Sequence, residues 1–171
     1  LATIAGSGEV LHCRLRSGNA HSSRGGASFL TESFKRLRRA GITGPLVMRA
    51  DSGFYTYAIY EACRKANARF SITAVLQPRV RQAIEAIGAE AWIGVPSWRE
   101  GGAEVAECEY IPFQHVQNRA FRLIAVRTRT ATGKQLPLLE KYTYHAFITD
   151  REGDILDLEQ DHRRHAEVEN V

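Results

Sequence analysis

The feature that most constrains the fold is a short apolar run, PLVMRA at residues 45–50, that ends on a carboxylate. Six residues are too few for a typical helix, and the run is apolar enough to predict a strand buried on both faces. Asp51 follows at once, before Ser52 and Gly53. Ligand sites of open α/β sheets gather at the carboxyl ends of strands, which makes Asp51 a candidate functional residue. The competing interpretation is that Asp51 caps a helix beginning near Tyr55.

The rest of the chain predicts an α/β layered sheet, because strand-like and helix-like segments alternate. A hairpin signal at residues 1–16 makes the first two strands antiparallel, which predicts a mixed sheet. Residues 92–150 then read as several antiparallel strands broken by turn residues, and a helical pattern resumes from about Leu156. The other predicted elements are a helix from Ser22 or Ser23 to about Arg39, a helix at 55–67, a strand at 69–76 and a helix at 80–87.

The bulk properties narrow the class of protein without fixing it. The formal net charge of +4 is compatible with a nucleic-acid partner but does not require one. The sequence contains no apolar run of about 18 residues and no signal peptide, which predicts a cytoplasmic protein without a membrane span. The chain opens on Leu1 in a strand-like stretch and stops at Val171 within a helical pattern, so we expect a fragment of a longer protein.

A second candidate constellation lies near the end of the chain. His162, His165 and Glu169 stand at i, i+3 and i+7, which places them on one stripe of a helix, with Arg163 and Arg164 beside it. Such a stripe suits a site that holds a metal ion and a phosphate together. Two alternatives remain open: a solvated charged helix, and a zinc site that lacks the usual tight ligand spacing.

Three motifs carry a resemblance to a known family. RADSGFY at residues 49–55 resembles the second-aspartate motif of bacterial insertion-sequence transposases of the DDE type. LRSGNAH at 15–21 resembles the loop that precedes it, and HRRHAEVEN at 162–170 is similar to the C-terminal motif of the family. The branch that the chain most resembles is the IS-thirteen-eighty group.

The resemblance implies a ribonuclease-H-like (retroviral-integrase-like) mixed sheet with flanking helices and a β-rich insertion. It divides the chain into a core at 1–91, the insertion at 92–150 and the start of the catalytic helix at 151–171. Asp51 matches the second catalytic aspartate and Glu169 the catalytic glutamate, so both are expected to bind Mg²⁺ or Mn²⁺. The first aspartate is expected before Leu1, which would leave the fragment inactive alone.

The same resemblance implies the partners and the residues that touch them. Double-stranded DNA with terminal inverted repeats is the expected substrate, and a homodimer in the bacterial nucleoid is expected to bind it. His162, Arg163, Arg164 and His165 are expected to hold the DNA strand near the cut, although His162 and His165 replace a family Tyr and Arg. The basic residues near the end of the first helix are expected to form a solvated or non-specific backbone face: Arg36, Arg38 and Arg39.

Three alternatives to this function remain. The first is a ribonuclease-H-like nuclease outside transposition, with the same chemistry but without strand transfer. The second is a decayed or domesticated transposase that acts only as a DNA-binding module. The third is a metabolic α/β domain in which Asp51 is a helix cap.

Overall fold

A computed structural model describes residues 1–15, 24–96, 98, 102–114, 119–129 and 142–164. Within these ranges the strands are β1 (Ala2–Thr3), β2 (Val10–His12), β3 (Leu46–Ala50), β4 (Ala68–Thr73), β5 (Ile93–Gly94), β6 (Ala103–Tyr110), β7 (Phe121–Arg129) and β8 (Tyr142–Thr149). The α-helices are α1 (Gly26–Arg39), α2 (Tyr57–Lys65), α3 (Pro78–Glu85) and α4 (Ile155–Arg163).

Six of the strands form one mixed sheet in the order β3-β4-β8-β7-β6-β5. β3 and β4 are parallel, with Arg49 level with Ser71 and Ala50 level with Ile72. All the other pairs of this sheet are antiparallel. β4 is therefore the junction between a parallel pair, joined by the crossover helix α2, and an antiparallel meander.

The sheet is covered on both faces. Successive side chains of a strand point to opposite faces, so apolar residues on both faces need a cover. Met48, Ala50, Phe70 and Ile72 point into one apolar cluster together with residues of α1, α2 and α3. The opposite face carries a second cluster, in which Leu158 of α4 packs against side chains of the meander. α4 is thus the helix that covers the second face.

The α/β class and the mixed sheet predicted from the sequence are confirmed, with two differences in detail. β1 and β2 pair antiparallel as predicted, but they form a separate two-stranded sheet, so the mixed character arises at β4 instead. α1 begins at Gly26, after Gly25 in the left-handed region (φ 71°). The predicted capping residues Ser22 and Ser23 lie outside the described residues.

The β-rich pattern at residues 92–150 forms β5 to β8, and these strands continue the same sheet as β3 and β4 through the β4–β8 pairing. Among the described helices, none has both the length and the apolar character needed to cross a membrane.

Candidate active site

Asp51 lies directly after the last residue of β3, with an exposed side chain. Its Oδ1 accepts a hydrogen bond of 2.8 Å from the backbone N–H of Gly53. This bond caps a single 3-10 turn, Ser52–Phe54, whereas α2 begins later, after Thr56. Asp51 is therefore a cap, as the competing interpretation held, but of a short turn and not of the helix.

The face on which Asp51 stands follows from strand alternation. Met48 and Ala50 point into the cluster beneath α1 and α2, whereas Arg49 reaches Asp161 of α4 on the other face. The backbone of Asp51 is still extended (φ −72°, ψ 178°). Its side chain therefore falls on the face of Arg49 and α4. The carboxylate and the last turn of α4 thus share one face and one end of the sheet.

Two arginines from different strand ends hold the last turn of α4. Arg49 donates to the backbone carbonyl of Asp161 and, at 3.2 Å, to its Oδ1. Arg151, which follows β8, donates to the other carboxylate oxygen, Oδ2. The guanidinium of Arg49 is largely buried, with 14% of its side chain exposed. α4 is therefore fixed in register against β3 by charge-assisted hydrogen bonds.

His162 lies between α4 and β4, and is 4% exposed. Its Nδ1 is 2.8 Å from the hydroxyl oxygen of Ser71, and its Nε2 is 3.1 Å from that of Thr73. The ring also stacks on Phe147 at 4.1 Å between centroids. The DNA contact predicted for His162 does not fit this position, because the ring is buried and both nitrogens are engaged within the protein. The same bonds exclude it as a zinc ligand in this arrangement.

The two arginines that follow differ in their surroundings. Arg163 lies 3.3 Å from Oε1 of Glu159 and stacks its guanidinium over Trp98 at 4.7 Å. Glu159 is 3% exposed, and burial raises the pKa of its carboxyl group while Arg163 opposes the rise. Arg164 is exposed at the end of α4. Arg164 is thus the described residue of the predicted DNA-binding set that is best placed to reach a phosphate.

His165 and Glu169, which complete the predicted set, lie outside the described residues. Their predicted roles stay predictions. In the part of the chain that is described, no group of three or more His, Cys, Asp or Glu side chains could hold a metal ion. Of the two predicted metal ligands, Asp51 lies within the described residues and Glu169 does not.

Sequence reasoning did not identify the residues that fix α4 to the sheet. Arg49 carried a usable signal, because a charged residue inside an otherwise apolar strand must find a partner when it is buried. Arg49 also stands two residues before Asp51, which predicts that the two side chains lie on the same face of the strand. Ser71 and Thr73 carried no such signal, since hydroxyl residues are common in strands.

The model of the family described as Transposase DDE domain group 1 matches residues 4–171 of the chain. No curated protein matches the chain significantly. The match spans nearly the whole sequence, including the three motifs on which the resemblance rests.

Proposed function

Since the chain belongs to the DDE transposase domain family, we propose that Asp51 and Glu169 are catalytic carboxylates for DNA cleavage and strand transfer at the ends of an insertion sequence. The family assignment makes the protein a transposase catalytic domain that acts on DNA. The mixed sheet with helices on both faces agrees with a ribonuclease-H-like architecture. The observation that carries the residue assignment is the position of Asp51 at the carboxyl end of β3, on the face covered by α4.

Asp51 fits a divalent cation by the chemistry of its donor atoms. One carboxylate oxygen is held by Gly53, and no contact of the other is found among the described residues. The side chain is therefore oriented but still open to a ligand. Oxygen donors of this kind suit Mg²⁺ or Mn²⁺. Transposases of the DDE type use divalent ions, which stabilise the attacking and leaving oxygens when bound.

The path of α4 supports Glu169 as the second carboxylate. Thr73 follows Ile72, the register partner of Ala50, so it lies level with Asp51. His162 bonds to Thr73, which brings the last turn of α4 to the same level of the sheet. Glu169 follows this turn closely in sequence, which supports its proposed role beside Asp51.

We further propose that Arg164, with Arg163 and His165, contacts the DNA strand near the cut. Arg164 is exposed at the end of α4, and among the described residues it has no contact that pairing with a phosphate would break. Arg163 would have to share its charge with Glu159. The finer assignments belong to the same proposal: terminal inverted repeats as the bound sequence, a homodimer assembled on DNA, the IS-thirteen-eighty branch and a place in the nucleoid.

Replacement of Asp51 by Asn tests the catalytic role in an active preparation of the protein. Asn caps a turn about as well as Asp, so the fold is expected to survive. Strand cleavage at element ends should be abolished while DNA binding is retained, because an amide is a much poorer ligand for a divalent ion.

Asp154 offers a matched control. It is also an exposed aspartate whose side chain accepts a 2.8 Å bond from the N–H two residues later, here Leu156. Asp154→Asn should leave cleavage unchanged. If Asp51→Asn cleaves DNA as well as Asp154→Asn does, Asp51 is only a cap and the assignment is refuted.

A further inference from the structure

A groove of about 460 Å³ lies between α1 and α2, on the face of the sheet opposite to α4. Its floor is apolar, whereas its rim is strongly basic. No carboxylate lines it among the described residues. The residues around it are Thr31, Phe34, Lys35, Arg38 and Arg39 of α1, and Ala62, Lys65 and Ala66 at the end of α2.

The charge of the rim is only partly neutralised by the protein. Lys35 and Arg39 are exposed and have no ion-pair partner in the part of the chain that the structure describes. Arg38 donates to the carbonyl oxygens of Ile42 and Gly44 at 2.8 Å, and these neutral acceptors leave its positive charge in place. Lys65 is the exception, because it lies 3.6 Å from Glu61.

Favourable interaction with the helix dipole explains cations in the last turn of either helix taken singly. It does not explain why the two basic ends face one groove. Like charges held together raise the free energy of the folded protein, and an anionic partner relieves this cost. The arrangement therefore points to a ligand with several negative charges.

The groove is remote from the proposed catalytic edge. α2 starts just after the turn that follows Asp51 and runs away from it for nine residues. At a rise of about 1.5 Å per residue, its far end lies roughly 14 Å along its axis from its start. A small substrate at Asp51 does not reach the groove, whereas a DNA duplex extends well beyond this distance.

We propose that the groove binds the sugar–phosphate backbone of duplex DNA as a second contact site, separate from the catalytic edge. The proposal rests on DNA being the substrate of the family, but it does not depend on which residues catalyse. The cations on the rim would pair with phosphates. Contacts of this kind carry no base specificity.

The test is the affinity of the protein for a labelled mixed-sequence duplex, measured over a series of salt concentrations. The variant is Lys35→Gln combined with Arg39→Gln, which removes two groove charges at exposed helical positions. The slope measured is that of the logarithm of the binding constant against the logarithm of the salt concentration. Each lost phosphate contact lowers the steepness of this slope by about 0.9. We expect the slope to fall by roughly 2 and the affinity at about 0.1 M salt to fall roughly 10- to 100-fold.

The matched control is Arg79→Gln combined with Arg81→Gln, which changes the net charge equally at exposed positions of α3, outside the groove. This control should keep nearly the full slope. An equal loss in both double variants means a general charge effect and overturns the proposal, as does no loss in either. Failure here is distinct from failure of the catalytic assignment, which is read from cleavage by Asp51→Asn.

Chemical protection of the unsubstituted protein gives a second test that no folding defect can disturb. Lys35 and Lys65 are exposed and should react with an acetylating reagent in the absence of DNA. We expect the duplex to protect both, as measured by mass spectrometry. Full reactivity of both lysines in the complex would rule out the proposed contact.

Discussion

His162 shows how a residue within a predicted functional motif can have a packing role. The imidazole ring fills the space between α4 and β4, and its two nitrogens meet the hydroxyl groups of Ser71 and Thr73. We expect His162→Ala to lower the free energy of unfolding by about 2–4 kcal/mol, through a cavity and unpaired buried hydroxyls. Urea denaturation measures this loss.

Arg164→Ala is the comparison for His162→Ala, since Arg164 is exposed on the same helix. It should change stability by less than about 0.5 kcal/mol and should weaken DNA binding instead. The reverse pattern, with normal stability and weak DNA binding for His162→Ala, would restore His162 as a DNA contact.

Glu159 makes a pH-dependent contribution to stability. Burial raises its pKa in the folded protein above the ordinary value of 4.5, so the folded state holds the proton more tightly than the unfolded state. The resulting stabilisation is complete below pH 4.5 and is lost as the pH rises through the raised pKa. Glu159→Gln removes this dependence, so the stability of the variant relative to the natural protein should increase from pH 4 to pH 7.

Denaturation at several pH values measures this trend, and Glu85→Gln is the control. Glu85 is exposed on α3. Its replacement removes an exposed carboxyl group and therefore controls for the loss of one negative charge. A stability difference for Glu159→Gln that does not change with pH would show that the carboxyl group is not perturbed by its burial.

At the scale of elements, α4 depends on Asp161 for its position. Arg49 and Arg151 both donate to this carboxylate, so Asp161→Ala leaves two partly buried cations facing each other. We expect a loss of about 1–2 kcal/mol after allowance for solvent screening. Hydrogen exchange should show faster opening of α4 than of α2.

Asp157→Ala provides the control, because Asp157 is exposed in the first turn of the same helix. Its removal should affect the exchange of α4 amides much less. Equal exchange in the two variants would mean that the apolar packing of Leu158 alone positions the helix.

The elements themselves were largely predictable, because local patterns specify them. The apolar run that became β3 and the alternation at 92–150 each produced strands, and the helix predicted at 55–67 became α2. What the sequence could not provide was the docking of α4. That docking depends on Arg49, Asp161 and Arg151, which are far apart in the chain and obey no local periodicity.

At the scale of the whole molecule, the β4–β8 pairing joins the two halves of the sheet. Ile148 is fully buried there, level with Ile72. Ile148→Ala should therefore cost about 2–5 kcal/mol. Because the β4–β8 pairing joins the two halves into one sheet, we expect both halves of the variant to unfold together. Tryptophan fluorescence and far-UV circular dichroism should therefore report the same unfolding midpoint.

Separate midpoints in that variant would show that the halves unfold independently. Val75→Ala is a suitable control, because Val75 is exposed just beyond β4. It should leave the midpoint nearly unchanged.

The strand order was beyond sequence reasoning for the same reason as the docking of α4. The hairpin at residues 1–16 led to the expectation that β1 and β2 belong to the main sheet, whereas they pair only with each other. Periodicity shows which face of a strand is buried but not which strand lies beside it. Of the two proposed catalytic carboxylates, Asp51 lies within the described residues and Glu169 does not.

The position of α4 has a consequence for the newly made protein. β3 and the turn after it leave the ribosome before β8 and α4, which follow later in the chain. The face that bears Asp51 stays uncovered until α4 docks on it. A growing chain therefore cannot complete this face before α4 has been synthesised, and a DNA-cutting activity that depends on this face is delayed until then.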